Sequence, residues 1–228
     1  MTIEVILTDI EGTVGSIRFV KEVLFPYADR QMEAFLARHW DEPAVASAVA
    51  DAARDSGETL ADAASAAALL RRWIAEDRKA TPLKTLQGLI WRAGYENGDY
   101  RAHVYPDAVE GLRRWRRDGL ALYVYSSGSI AAQKLFFGHS EAGDLTPLFN
   151  GYFDTTSGGK KEADSYRAIQ AEIGVAADAI LFLSDVEAEL DAARAAGLRT
   201  VLLDRDDAIA DSDHTRVTTF DDIEPRAL

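Results

Sequence analysis

The chain has no cysteine among its 228 residues. Disulfides, thiolate nucleophiles and cysteine-ligated zinc are therefore excluded. Basic residues are also scarce: 25 lysines and arginines stand against 38 aspartates and glutamates, a formal net charge of −13. That balance argues against non-specific attachment to nucleic acid or to an anionic membrane. An anionic substrate would need local positive charge, from a metal or from particular lysines. No apolar run approaches the length of a membrane span, and the amino terminus has no basic segment followed by an apolar stretch. A soluble, cytoplasmic protein is expected. His39, His103, His139 and His214 have no metal-ligand spacing and are expected at the surface.

Hydrophobic residues make up 47% of the chain, enough for a sizeable core. The length suits one large domain or a core domain with an insertion. Val5-Ile6-Leu7-Thr8 reads as a short buried strand, and so do 120–125, 151–153, 179–183 and 200–203. Helical patterns lie between most of them, over about 107–118, 129–137, 163–173 and 187–196. This alternation predicts an α/β fold, a Rossmann-like parallel sheet with helices on both faces. Gly119, Gly174 and Gly197 each follow a helical stretch, as helix caps do. Residues 16–98 break the rhythm. They hold no convincing strand and read as helices over about 20–38, 43–55, 60–76 and 83–93, with turns at 56–58 and 94–99. A single crossover needs only one helix, so this block is expected to be an inserted all-helical cap domain. The expected division is 1–15 with 99–228 as the core and 16–98 as the cap.

The chemistry gathers where strands end. Asp9-Ile10-Glu11-Gly12-Thr13 follows the first strand, so Asp9 falls at a carboxyl edge, where open parallel sheets bind ligands. A carboxylate there can be a metal ligand, a nucleophile or both, although the same pattern is met in ordinary turns. Ser126-Ser127-Gly128-Ser129 follows the second strand and opens a helix. Its N–H groups and hydroxyls suit a phosphate, or equally a plain helix cap. Ser157-Gly158-Gly159-Lys160-Lys161 offers glycines for close backbone approach and a point charge, or a solvated basic turn. Ser184-Asp185-Val186-Glu187-Ala188-Glu189 puts a second carboxylate, Asp185, at the sheet edge. If its strand neighbours the first, Asp9 and Asp185 can share a hard cation such as Mg²⁺; otherwise they are acids favoured by a helix start.

Taken in order, these four segments resemble the motifs of the haloacid dehalogenase superfamily. Within it, the chain looks like the enolase-phosphatases (acireductone synthases) of methionine salvage. The resemblance rests on Glu11 where most superfamily phosphatases have Asp, and on Ser16-Ile17, Phe19-Val20 and Leu24-Phe25-Pro26-Tyr27-Ala28. Leu86-Gln87-Gly88-Leu89-Ile90-Trp91, 151–155, 160–166 and 182–185 carry it further, so that it spans nearly the whole chain. Thr8 and Val14-Gly15 are less usual for the family but lie outside the implied chemistry.

The resemblance implies a Mg²⁺-dependent enzyme with no organic cofactor, acting as a monomer. It would enolise 2,3-diketo-5-methylthiopentyl 1-phosphate and then remove the phosphate to leave an acireductone. Carried over by position, Asp9 is a metal ligand and the nucleophile, and Asp185 a metal ligand. Glu11 adds a metal contact through its main-chain carbonyl, and Ser126 and Ser127 bind the phosphate. Lys160, rather than Lys161, offsets charge on the phosphoryl oxygens. Glu11 is one methylene longer than Asp, a reach that suits proton transfer in both steps or, equally, only an adjustment of cap closure or metal geometry. Phe19, Phe25, Tyr27 and Trp91 are candidates for the wall around the methylthio tail, although core packing is the commoner role for each taken singly. The rival readings are another phosphatase of the superfamily, or a non-catalytic phosphate-binding protein on the same fold.

Overall fold

The computed structural model describes residues 2–209 and 211–227. The chain divides into two compact units, Met1–Ile17 with Arg101–Leu228, and Arg18–Tyr100.

The first unit is built on β1 (Val5–Thr8), whose four residues are all buried. A strand buried on both faces belongs inside a parallel sheet, which explains its continuous apolar run. Among the described residues, β2 (Ala121–Tyr125), β3 (Gly151–Phe153), β4 (Ile180–Ser184), β5 (Arg199–Leu203) and β6 (Thr215–Val217) complete a sheet in the order β3-β2-β1-β4-β5-β6. Every pairing is parallel. The α/β parallel sheet expected from the alternating pattern is the fold observed.

Alternate side chains of each strand face opposite sides. Val5 and Leu7, with Tyr125, Phe153, Ile180 and Phe182, pack against α7 (Ala163–Ile173) and α8 (Glu187–Ala195) through Tyr166, Ile169, Leu190 and Ala193. Helix α5 (Pro106–Arg117) packs on β2, and α6 (Ile130–Gly138) on β3. Gly119, Gly174 and Gly197 have φ of +88°, +82° and +93° as the helices end, the left-handed turn that glycine makes without steric cost.

The second unit is helical. It opens with a π-helical stretch, Phe19–Leu24, that runs straight into α1 (Phe25–His39). Helices α2 (Pro43–Ser56), α3 (Ala63–Ala75) and α4 (Thr81–Asn97) follow. Their core is Met32, Leu36, Val45, Leu70, Trp73, Leu86 and Ile90 with small alanines between, so the alanine-rich sequence packs helices closely. Asp62 and Ser65 form a reciprocal capping box at the start of α3. The turn expected over 94–99 begins only at Gly98, the left-handed cap of α4. Gly94 stays inside the helix because Tyr100 packs onto it: a Cβ there would lie 2.7 Å from the ring. Phe25 and Trp91 meet edge to face, and the Trp91 indole donates to the Leu24 carbonyl. Tyr27 donates to Asp99. These side chains pack and bond within their own unit.

The carboxyl-terminal region supplies β6, buries Asp204 and pairs Arg216 with Asp204 and Asp207, while Asp206, Asp207, Asp221 and Asp222 are exposed. His214 is also buried, held between the Thr200 hydroxyl and Asp191. None of the four histidines is fully exposed. Edge-strand pairing, which composition does not reveal, draws these polar groups inward. No described helix is long and apolar enough to cross a membrane.

Candidate active site

The register of the sheet brings the sequence motifs together. Thr8 pairs with Val124 of β2 and Leu183 of β4, so Asp9, Ser126 and Asp185 all emerge at the carboxyl edge of three adjacent strands. The Asp9 amide donates to the Leu183 carbonyl at 2.9 Å, and the Thr8 hydroxyl to the Asp9 carbonyl. Thr8 thus orients the backbone of the residue after it.

Asp9 is 4% exposed. Its Oδ1 accepts a hydrogen bond from Lys160 Nζ at 2.6 Å, and Glu189 Oε2 lies at the same 2.6 Å from that nitrogen. The ammonium is therefore bridged by two buried carboxylates. Burial works to lower the Lys160 pKa, but the Asp9 and Glu189 charges outweigh it and hold the lysine above its ordinary value. Lys161, the neighbouring candidate, is exposed. The loop that delivers Lys160 is fixed by Tyr166, whose hydroxyl donates to the Lys160 carbonyl, and by Tyr125, which donates to the Gly158 carbonyl. Gly158 has φ +113°, and a Cβ there would meet the Ser165 hydroxyl at 2.2 Å, so the glycine is needed on both counts.

Glu189 is the residue that sequence reading missed. It lies in the first turn of α8, where acids are favoured by the helix dipole, and that ordinary explanation hid it. The usable signal was its place four residues after Asp185, one helical turn on. Glu189 also accepts from the Ser184 hydroxyl at 2.9 Å. Burial raises its pKa, with the Asp9 charge adding to the effect and Lys160 opposing it.

Asp185 has one buried oxygen, Oδ1, without a hydrogen-bond partner. Its pKa is pushed up to about 7, by burial first and then by the Asp9 carboxylate. A buried carboxylate oxygen left unpaired beside another carboxylate is an arrangement that a cation satisfies. Gly12 presses against it: a Cβ on Gly12 would lie 2.0 Å from Asp185 Oδ2. Among the described residues no group of three or more His, Asp or Glu side chains is gathered as a metal cage. A Mg²⁺ site needs no such cage, since this ion is commonly held by one or two carboxylates and keeps several waters.

Glu11 is partly buried in the turn after Asp9, where its backbone bridges to Gly15. Ser126 is buried, and its hydroxyl accepts from the Gly128 amide at 3.3 Å; Ser127 is exposed beside it. The helix-cap role belongs to Ser129, which accepts from the Ala132 amide. Asp154 ties this loop to the end of β3, accepting from the Ile130 amide and from Thr156.

The arrangement provides a buried carboxylate with one oxygen held by an ammonium and a second carboxylate able to share a cation. A serine-glycine loop at the next strand end is open to an anion. It suits attack on a phosphoryl group. Comparison with known proteins agrees. The family model for haloacid dehalogenase-like hydrolase matches residues 3–197. A protein of Alcanivorax borkumensis named Enolase-phosphatase E1 is 62% identical, over 97% of this chain and 98% of its own. Another of that name, from Pseudomonas aeruginosa, is 59% identical over 98% and 99%. Among solved structures, the UTR4 protein of Saccharomyces cerevisiae superposes with a TM-score of 0.83 at 34% identity, covering 97% of this chain and 100% of that one. The chain belongs to the haloacid dehalogenase-like hydrolases and, among them, to the enolase-phosphatase E1 family.

Proposed function

We propose that this chain converts 2,3-diketo-5-methylthiopentyl 1-phosphate to the acireductone 1,2-dihydroxy-3-keto-5-methylthiopentene and inorganic phosphate, a step of methionine salvage. The name shared by its relatives supports this reading. The observation that carries the chemistry is the buried Asp9–Lys160–Glu189 bridge beside Asp185.

In this reading the sheet unit is the catalytic core and the helical unit its cap. The sequence bounds are 1–15 with 99–228 and 16–98, of which residues 1, 210 and 228 lie outside the described residues. Lys160 holds Asp9 Oδ1, which leaves Oδ2 as the attacking atom. It forms a bond to phosphorus as the bond from phosphorus to the substrate's C1 oxygen breaks. Water then hydrolyses the aspartyl-phosphate and returns Asp9. Splitting the hydrolysis in this way replaces one difficult step by two easier ones. Ser126, Ser127 and the amides of their loop bind the phosphoryl oxygens, and Lys160 offsets the charge that builds on them. The Glu11 carboxyl takes the proton from carbon in enolisation and delivers one to the leaving oxygen. Asp9, Asp185 and the Glu11 carbonyl are the groups that would hold Mg²⁺. When bound, the ion would neutralise phosphate charge close to the two carboxylates. The substrate is a small phosphorylated molecule, and the protein acts as a monomer in the cytoplasm, without nucleic acid or membrane.

The test follows the ultraviolet spectrum and phosphate release together while the diketone phosphate is incubated with protein and Mg²⁺. An enol absorbance that rises and then changes, with phosphate released in step, is expected. Phosphate release from simple esters with no enol signal from the diketone phosphate would instead leave a general phosphatase of the superfamily. No release from any ester would favour a phosphate-binding protein.

A further inference from the structure

The turn between Asp9 and the helical unit is tightly wound. The amides of Thr13, Val14 and Gly15 all donate to the Ile10 carbonyl, at 3.2, 2.9 and 2.8 Å, and Gly12 donates to the Gly15 carbonyl. The Val14 carbonyl is taken by the Tyr105 amide. Thr13 is fully buried, so its carbonyl also needs a donor. That donor comes from 192 residues away. Arg205 reaches the Thr13 carbonyl with both Nε, at 3.2 Å, and Nη2, at 2.7 Å.

Arg205 has little freedom to do otherwise. Its Nη1 donates to Asp107 Oδ2 at 2.5 Å, and its side chain is 12% exposed. The guanidinium lies 4.3 Å from the Tyr105 ring centroid and 5.2 Å from that of Phe220. Asp107 is fixed in turn by the Phe220 amide at 2.8 Å and the Thr219 hydroxyl at 2.9 Å. Only a planar fork can stack on a ring while serving two acceptors in different directions; a lysine can do one or the other.

We propose that Arg205 is a positioning residue, which acts by holding the turn that carries Glu11. The close approach of Gly12 to Asp185 makes this turn sensitive to sub-ångström slack. The catalytic consequence rests on the reading given under Proposed function; the structural one does not.

Arg205→Lys is made in the full chain, alone and combined with Glu11→Gln. Residue-resolved amide exchange of Gly12, Val14 and Gly15 is expected to rise about 10-fold, with Leu7 unchanged, because a charged hydrogen bond to the turn is lost. Phosphate release from the diketone phosphate should lose about 10-fold in kcat, with KM within about 3-fold. On the Glu11→Gln background the same change should cost less than about 2-fold, since a residue acting through Glu11 has nothing left to position. An equal loss on both backgrounds, or unchanged exchange, would overturn the proposal. If the unsubstituted protein releases no phosphate, the functional reading fails and the exchange measurement decides this one by itself. Should Arg205→Lys not fold, Asp107→Asn is read by the same exchange measurement, with a rise of about 3-fold expected from a weakened Arg205 partner.

Discussion

Gly12→Ala isolates the role of close approach at the site. Two separate penalties follow from the structure. Gly12 has φ +78°, where a non-glycine residue costs about 1–2 kcal/mol. A chain of this size loses about 2–4 °C of Tm per kcal/mol, so backbone strain alone predicts a drop of about 2–8 °C. The second penalty is steric. The new Cβ would lie 2.0 Å from Asp185 Oδ2 and 2.5 Å from its Cγ. Real Cβ atoms essentially never come closer than 3.0 Å, so at least 3.0 − 2.0 = 1.0 Å of movement must be shared between the turn and Asp185. A misplacement of that size in a reacting constellation costs about 10²-fold in rate. Gly57→Ala is the matched control: its φ is +71°, and nothing lies within 4 Å of the new Cβ. Thermal unfolding and Mg²⁺-dependent phosphate release are measured on both. Gly57→Ala should lose only the strain share of about 2–8 °C and Gly12→Ala at least as much, with activity lost only in Gly12→Ala. If Gly12→Ala keeps more than about half of the rate, the clash is relieved without disturbing Asp185 and the reasoning is refuted.

Two further outcomes follow from buried charge. Glu189→Gln removes one of the two carboxylates on Lys160 and leaves the ammonium to Asp9, lowering stability by about 1.5–3 kcal/mol. With Lys160 drawn fully onto Asp9, kcat should fall about 10-fold or more at nearly constant KM; steady-state kinetics that show no change would mean that Glu189 serves only to neutralise. The Asp107 carboxyl is below its usual range: burial works to raise it, but the Phe220 amide, Arg205 and Thr219 prevail. A lowered folded pKa gives stability that is present above the unfolded value, about 3.9, and is lost as pH falls through the folded one. The advantage of the native chain over Asp107→Asn in urea midpoint should therefore be full near pH 6 and shrink below about pH 4; an advantage independent of pH would show that the charge is irrelevant.

The sequence by itself determined five of the six described strands and the order of the chemistry along the chain. Strands such as Val5–Thr8 are apolar throughout because both faces are buried, and that pattern is visible without any knowledge of neighbours. Asp9, Ser126, Lys160 and Asp185 were legible for the same reason, each following a strand or a glycine turn that marks a sheet edge. The helical block was legible from composition and length, though its π-helical opening was not, since helical periodicity does not separate the two windings.

The tertiary structure decided which of these groups touch. Glu189 looked like a helix-start acid until α8 turned it onto Lys160, and nothing local marked Arg205 until the chain after β5 carried it to Thr13. Asp204 and His214 became buried through the pairing of β6 with β5. Local sequence reports hydrophobic period and turn chemistry, which act over a few residues. A charge pair made across 151 residues, as between Asp9 and Lys160, depends on the parallel register that closes the distance.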